Sequence, residues 1–235
     1  MERYDRPLAL GQKSAIARSE IAAMRFVRAH TTIPVPRPWR SWCWPWSDNY
    51  YIIMTRAPGC VLDDVWGSLE DNARDHIVKQ LAPFLAQLRR LPTPYGSAIC
   101  AVDGGSIYDH RLPSDHFGLF SDEQSFNAAL RCFQPLEGLP PDVAVSHAIA
   151  HPIVMTHGDL APHNMLFDRE SLEITAVLDW ECAGWLPSHW EYRKALWSSW
   201  GRMAETWSPR LQLFVSTFPL EAEADKQLAS LFWCP

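Results

Sequence analysis

Cysteine is sparse and scattered in this chain. It occurs at positions 43, 60, 100, 132, 182 and 234, and no two of these form a C-x-x-C pair. That spacing argues against zinc ribbons and dithiol redox chemistry and fits reduced thiols in a cytoplasmic protein. No run of about 18 apolar residues occurs, so no transmembrane helix and no membrane partner are expected. The first residues, MERYDRPLAL, lack the apolar core of a signal peptide. Lysine and arginine are not clustered, and the formal net charge is −6. A surface that holds nucleic-acid phosphates needs the opposite, so no nucleic-acid partner is expected. The acidic balance is compatible with a cationic substrate, or simply with solubility. Internal repeats and low-complexity tracts are also missing.

What is present is a chain of 235 residues, 47% hydrophobic and 20% charged, the balance of a globular protein. That length suffices for one large domain or two small lobes sharing a cleft. The 12 tryptophans imply a large core or aromatic-lined pockets, and the 19 prolines many fixed turns.

Residues 13–30 have a helical pattern, with Ala17, Ile21, Met24 and Arg28 one turn apart. The run Ile33-Pro34-Val35-Pro36-Arg37-Pro38 is an extended connection. Trp42, Trp44 and Trp46 alternate as residues on one packed face of a strand do. Tyr51-Ile52-Ile53-Met54 reads as a buried strand before a turn at Ala57-Pro58-Gly59. Ser68 is placed to cap a long helix, with acids in its first turn and Ile77, Leu81, Phe84, Leu85, Leu88 and Leu91 on its buried side, ended by Pro92 and Pro94. The stretch 93–120, rich in turn formers, is expected on the surface. Ser121 and Gln124 signal a further short helix carrying Phe126, Leu130 and Phe133. Ile153 to Thr156 is a short strand. Asn164 to Phe167 and Ile174 to Leu178 form a hairpin through residues 168–171, and helices resume near His189.

The chemistry is concentrated in His157-Gly158-Asp159-Leu160-Ala161-Pro162-His163-Asn164, followed fifteen residues on by Asp179-Trp180-Glu181. Phosphoryl transfer needs a carboxylate to orient the acceptor hydroxyl and take its proton, and oxygen ligands to hold magnesium against nucleotide phosphates. Asp159, on a loop after a strand, suits the first task. Asn164 and Asp179 offer hard oxygen donors for the second, and the hairpin between them folds the two together. Each of the three taken singly is an ordinary turn residue; their combined spacing is what is specific.

The segment H-G-D-x-x-x-x-N followed by L-D-W-E resembles the catalytic loop and metal-binding aspartate of the aminoglycoside phosphotransferase and choline kinase superfamily, relatives of protein kinases. Asp179 to Pro187, Trp190 to Ala195, Ile33-Pro34-Val35-Pro36, Tyr51 to Met54, and Phe117 to Phe120 with Phe126-Asn127 look like its fungal branch. The resemblance spans nearly the whole chain. It implies an α+β, bilobal protein-kinase-like fold, with residues 1–57 as a reduced N-terminal lobe and hinge and 58–235 as a mainly helical C-terminal lobe. It also implies ATP and magnesium in the cleft. Asp159 matches the catalytic base, and Asn164 and Asp179 the metal ligands. Met54, Thr55 and Ala57 match the hinge that holds adenine, and Glu20 the helix glutamate that pairs with a nucleotide-binding lysine. His157 matches the loop histidine, a scaffold more than a proton carrier. Glu181 and Glu191 stand as further candidates, either for a polar acceptor or for helix caps and ion pairs.

The chain departs from that pattern at its start. Met1 lies nineteen residues before Glu20, too few for both early strands, and neither a glycine-rich loop nor a clear strand lysine is present. Arg3 and Lys13 are the candidates to replace that charge, although a planar guanidinium is not equivalent to an ammonium. The expected function is ATP- and magnesium-dependent O-phosphorylation of a small hydroxylated molecule. The alternatives are a kinase-fold homologue that binds a metabolite or serves biosynthesis through a repurposed cleft, and, less favoured, a regulatory protein that binds another chain. The acceptor and the oligomeric state are not encoded in any motif.

Overall fold

The structure is a computed structural model and describes residues 10–44, 50–112, 118–197 and 202–232. Arg3, Trp46 and Phe117 lie outside the described residues, as does the side chain of Lys13.

Helix α1 (Leu10–His30) opens the fold. Ala17, Ile21 and Met24 are buried on it with Ile16, Ala23 and Val27. Arg28, expected in that column, is exposed and donates to the Val35 carbonyl. The proline-rich segment 31–37 carries no regular structure, as its prolines require. Strands β1 (Pro38–Cys43) and β2 (Tyr50–Met54) form an antiparallel pair against which α1 packs. Trp42 stacks on Tyr51 with centroids 5.4 Å apart, yet Trp42 and Trp44 stay exposed. The expected packed tryptophan face is therefore wrong for these two. Trp42 lies in β1 and Trp44 just beyond its end, and α1 is the helix that packs on this sheet.

Strand β3 (Cys60–Val61) runs into α2 (Leu62–Trp66). The single long helix expected from Ser68 is instead two, α3 (Asp71–Lys79) and α4 (Leu81–Arg90), broken at Gln80. Pro83 explains the break: it has no N–H to return to the Lys79 carbonyl and its ring crowds that carbonyl. Ser68 is not the cap; its hydroxyl donates to Val65 O at 2.8 Å and closes α2. The stretch 93–120 is also more buried than expected. It contains β4 (Cys100–Ala101), and Ile99, Ile107, Asp109, Arg111 and Leu112 are buried, because Ile99 exchanges backbone bonds with Phe120 and draws the segment inward.

Helix α5 (Glu123–Leu130) starts one residue later than Ser121 and Gln124 implied: Asp122 is its cap and Ser125 completes a capping box. Helix α6 (Pro141–His147) leads to β5 (Ile153–Thr156). The expected hairpin is β6 (Met165–Phe167) with β7 (Ile174–Val177). Beyond it come β8 (Gly184–Pro187), α7 (Trp190–Trp197), α8 (Arg202–Thr206) and α9 (Pro219–Phe232). Two three-stranded sheets result, ordered β3-β6-β7 and β4-β8-β5. The loop from β5 to β6 passes from one sheet to the other, and the chain returns from β7 to β8. Both carriers of the motif, 157–164 and 178–183, are therefore crossings between the same two sheets. The main core draws on α1, α2, α3, α4 and both sheets, with Trp66 and Trp207 edge to face at 5.4 Å.

Candidate functional site

The β5–β6 loop is held by a buried histidine. His157 Nδ1 accepts the Asp159 N–H at 3.1 Å, and its Nε2 donates to the Leu178 carbonyl at 2.9 Å. Both bonds together require the neutral ring, and burial pushes the His157 pKa down to about 4. From α7, Glu191 Oε2 accepts the His157 N–H at 2.7 Å and the Gly158 N–H at 3.4 Å. Burial raises the Glu191 carboxyl against those two N–H bonds. Gly158 has φ +80°, and a Cβ there would sit 2.7 Å from the Cys182 carbonyl oxygen, so this turn admits only glycine.

That scaffold presents Asp159, whose side chain is 17% exposed. Asn164 Nδ2 donates to Asp159 O at 2.9 Å and to Oδ2 at 2.8 Å. Both amide protons are thereby used, and Oδ1 remains as the donor atom for a cation. The Asn164 carbonyl accepts the Leu178 N–H at 2.8 Å, which ties the two crossings together one residue before Asp179. Burial works to raise the Asp159 carboxyl. The hydrogen bond from His163 (3.4 Å) and the positive charge of Lys194 outweigh it and hold the carboxyl far below its usual range. Lys194 is buried on α7, paired with Asp109 at 2.8 Å.

Asp179 adopts φ +61°, a left-handed conformation that aspartate tolerates better than most residues. Its carboxyl faces Glu20 from α1 and Glu181, with one oxygen of each within 4.8 Å of the others. Tyr50, the first residue of β2, donates to Glu20 Oε2 at 3.1 Å and also contacts Glu181 Oε2. Burial, then Asp179 and Glu181, push Glu20 up to about 7; burial, then Glu181 and Asp159, push Asp179 up to about 6. These shifts report negative charge that His110, whose Nε2 lies 3.2 Å from Glu181 Oε1, offsets only in part. Three converging carboxylates are hard donors suited to magnesium or calcium.

The structure therefore brings Asp159, Asn164, Asp179 and Glu20 together, and adds Glu181. Met54, Thr55 and Ala57 stand apart, at the opposite end of β2 from Tyr50 and beyond it. The Thr55 N–H is committed to the Arg37 carbonyl at 3.0 Å, and its hydroxyl accepts the Arg37 N–H at 2.8 Å. A base at this hinge would have to use other backbone groups. Sequence reasoning missed Tyr50, His163 and Lys194. His163 lies inside the motif and could have been found there; Tyr50 and Lys194 carry no local signal.

The profile of the phosphotransferase enzyme family matches residues 6–213. Among solved structures, an aminoglycoside-3'-phosphotransferase of type VIII superposes with a TM-score of 0.56 at 16% identity, over 96% of this chain and 83% of that one. APH(3'')-Id from Streptomyces rimosus, in complex with ADP and streptomycin, gives 0.54 at 14% identity over 97% and 85%. A thermostable mutant of APH(4)-Ia, with ADP and hygromycin B, gives 0.56 at 17% identity over 90% and 73%. At such identities these structures establish the kinase-like fold. With the motif of Asp159, Asn164 and Asp179 inside the matched span, the chain belongs to the phosphotransferase enzyme family.

Proposed function

We propose that this protein transfers the terminal phosphoryl group of ATP to a hydroxyl of a small molecule. The observation that carries this is the joining of the two crossings, with Asp159 hydrogen-bonded to Asn164 and the Glu20–Asp179–Glu181 carboxylates converging beside them. In the proposed reaction the acceptor oxygen attacks the γ-phosphorus, the bond to ADP breaks, and the hydroxyl proton passes to Asp159. A carboxyl held so far down is a weak base. Its work is to orient the hydroxyl, and the proton moves late, as a loose transition state allows. Asn164 and His163 fix the Asp159 oxygen that does this. Asn164 Oδ1 and Asp179, with Glu20 and Glu181 at hand, would hold magnesium, which supplies positive charge against the nucleotide phosphates. Residues 1–57 serve as the lobe over the nucleotide, with backbone groups of Met54, Thr55 and Ala57 next to the base, and 58–235 as the lobe that receives the acceptor. Action in the cytoplasm on a small hydroxylated substrate completes the proposal. The relatives bound to streptomycin and hygromycin B support that substrate class.

The test is calorimetry with ATP, with and without magnesium, beside a turnover assay on hydroxylated acceptors. Asp179→Ala is expected to abolish magnesium-dependent ATP binding. Asp159→Asn is expected to keep binding and lose about 10²–10⁴-fold in turnover. Unchanged turnover in both variants ends the proposal. One observation favours a second reading. Among the described residues, the hydrogen bonds to the Glu20 side chain come from the Tyr50 hydroxyl and the Trp180 backbone, and none comes from a lysine. A repurposed cleft that binds a metabolite without transferring phosphate would show thermal stabilisation by that metabolite and no ATP binding.

A further inference from the structure

Away from the cleft, four segments of the helical part meet at a second group of titratable side chains. Glu123 is the first residue of α5, His151 precedes β5, His189 precedes α7, and Glu221 lies in the first turn of α9. Glu123 Oε1 lies 2.7 Å from His151 Nδ1 and 3.4 Å from His189 Nε2, and the three ligand atoms fall within 4.8 Å of one another. Glu123 Oε2 accepts the His151 N–H at 2.7 Å, which holds the carboxylate with Oε1 turned to the two rings. His151 Nε2 faces Glu221 Oε1 at 3.1 Å.

We propose that Glu123, His151 and His189 form a binding site for a zinc-like divalent ion, with Glu221 as the outer carboxylate that orients His151.

The geometry matches how such sites are built. A ligating imidazole ordinarily donates its second ring N–H to a carboxylate, and Glu221 stands where that carboxylate belongs. Tetrahedral zinc with nitrogen and oxygen ligands separates its donor atoms by about 3.3 Å. The His189–Glu123 distance already fits, and the shorter His151–Glu123 contact must open by only about half an ångström. Charge points the same way. Among the described residues, only imidazoles pair with Glu123 and Glu221, and both carboxylates are largely buried. A dication with two neutral imidazoles balances two carboxylates, which limits the penalty for burying them. His189 is 6% exposed, and its Nε2, which faces Glu123, is the atom it would offer the ion. Three protein donors leave a fourth position for water. A cavity of about 280 Å³ bordered by Glu123, His147 and His151 gives an approach, and Phe218 packs on both imidazoles.

An ion here would staple α5, the His151 loop and α9 to the start of α7. Glu191, two residues after His189, holds His157 and Gly158, so occupancy would steady the catalytic loop from outside the cleft. This site does not depend on the phosphotransfer proposal. Its test is titration of the 235-residue chain with Zn²⁺ by calorimetry, and with Co²⁺ by visible absorption. The expected result is one equivalent bound, the intense bands of tetrahedral cobalt, and a higher thermal midpoint. His151→Gln and His189→Gln should weaken binding at least about tenfold, and Glu221→Gln about 10–100-fold, with circular dichroism confirming that each folds. Asp179→Ala should leave the titration unchanged, which separates this site from the cleft. Less than one equivalent on the unaltered chain, a featureless cobalt spectrum, or undiminished affinity in both histidine variants overturns the proposal.

Discussion

Histidines carry much of the local electrostatics of this molecule, and each is set by what packs around it. His157 is locked neutral by an N–H donor on one ring nitrogen and a carbonyl acceptor on the other. His147 is held at about 4 by burial and then by Arg131, whose guanidinium faces Nδ1 at 3.4 Å. In an unfolded chain both would titrate near about 6.5. Their folded values lie below that, so the unfolded state binds more protons as pH falls. The stability they contribute is complete above about pH 6.5 and drains away towards about pH 4. Urea midpoints measured from pH 7 to 4 should therefore fall, and His147→Gln should flatten part of that decline. An identical slope in the variant would show that the ring contributes nothing. At this scale the motif residues were legible, because Asp159, Asn164 and Asp179 are named by spacing. Tyr50 and Lys194 were not, because their partners lie 131 and 85 residues away in the chain.

Helix α7 shows what one element does for the site. It presents Glu191 to the catalytic loop, Lys194 to Asp109, and Arg193 to Asp225 on a single short segment. Glu191→Ala would leave the buried N–H groups of His157 and Gly158 without an acceptor. An uncompensated buried donor costs about 1–3 kcal/mol. The expected outcome is a loss of about that size in chemical denaturation and a fall in kcat larger than the change in nucleotide affinity, since the loop and not the carboxylate cluster is disturbed. Glu191→Gln keeps one acceptor oxygen and should recover most of both. The sequence marked Glu191 only as a possible ligand or cap, because periodicity tells which face of a helix is buried but not what it meets. The same limit explains α3 and α4: the apolar pattern runs unbroken through Gln80, while Pro83 interrupts the backbone bonds beneath it.

For the molecule as a whole, closure of the helical part depends on α9. Asp225 pairs with Arg111 at 2.8 Å and with Arg193, and all three are buried. Two guanidiniums from segments 82 residues apart in sequence thus share one carboxylate. Removing one partner of a buried ion pair costs about 3–5 kcal/mol, because the charge left behind stays desolvated. Asp225→Ala should lower the unfolding free energy by about that much. Asp225→Asn should be nearly as harmful, since it keeps the volume and loses the charge. An effect below about 1 kcal/mol, the range of exposed pairs, would mean the network is open to water. None of these pairings was legible in the sequence.

By itself the sequence determined the family, the hairpin and the three motif residues, because these depend on short-range order: which residues follow a strand, and how many separate two carboxylates. Tertiary structure alone decided that Glu20 and Glu181 join Asp179, that Tyr50 bridges them, and that Glu191 and Lys194 stand behind the loop. Those contacts arise where α1, β2, α7 and the two crossings between the three-stranded sheets meet. Burial and the fields of neighbouring charges set the protonation of each group there, and both are properties of the packed molecule rather than of any stretch of chain.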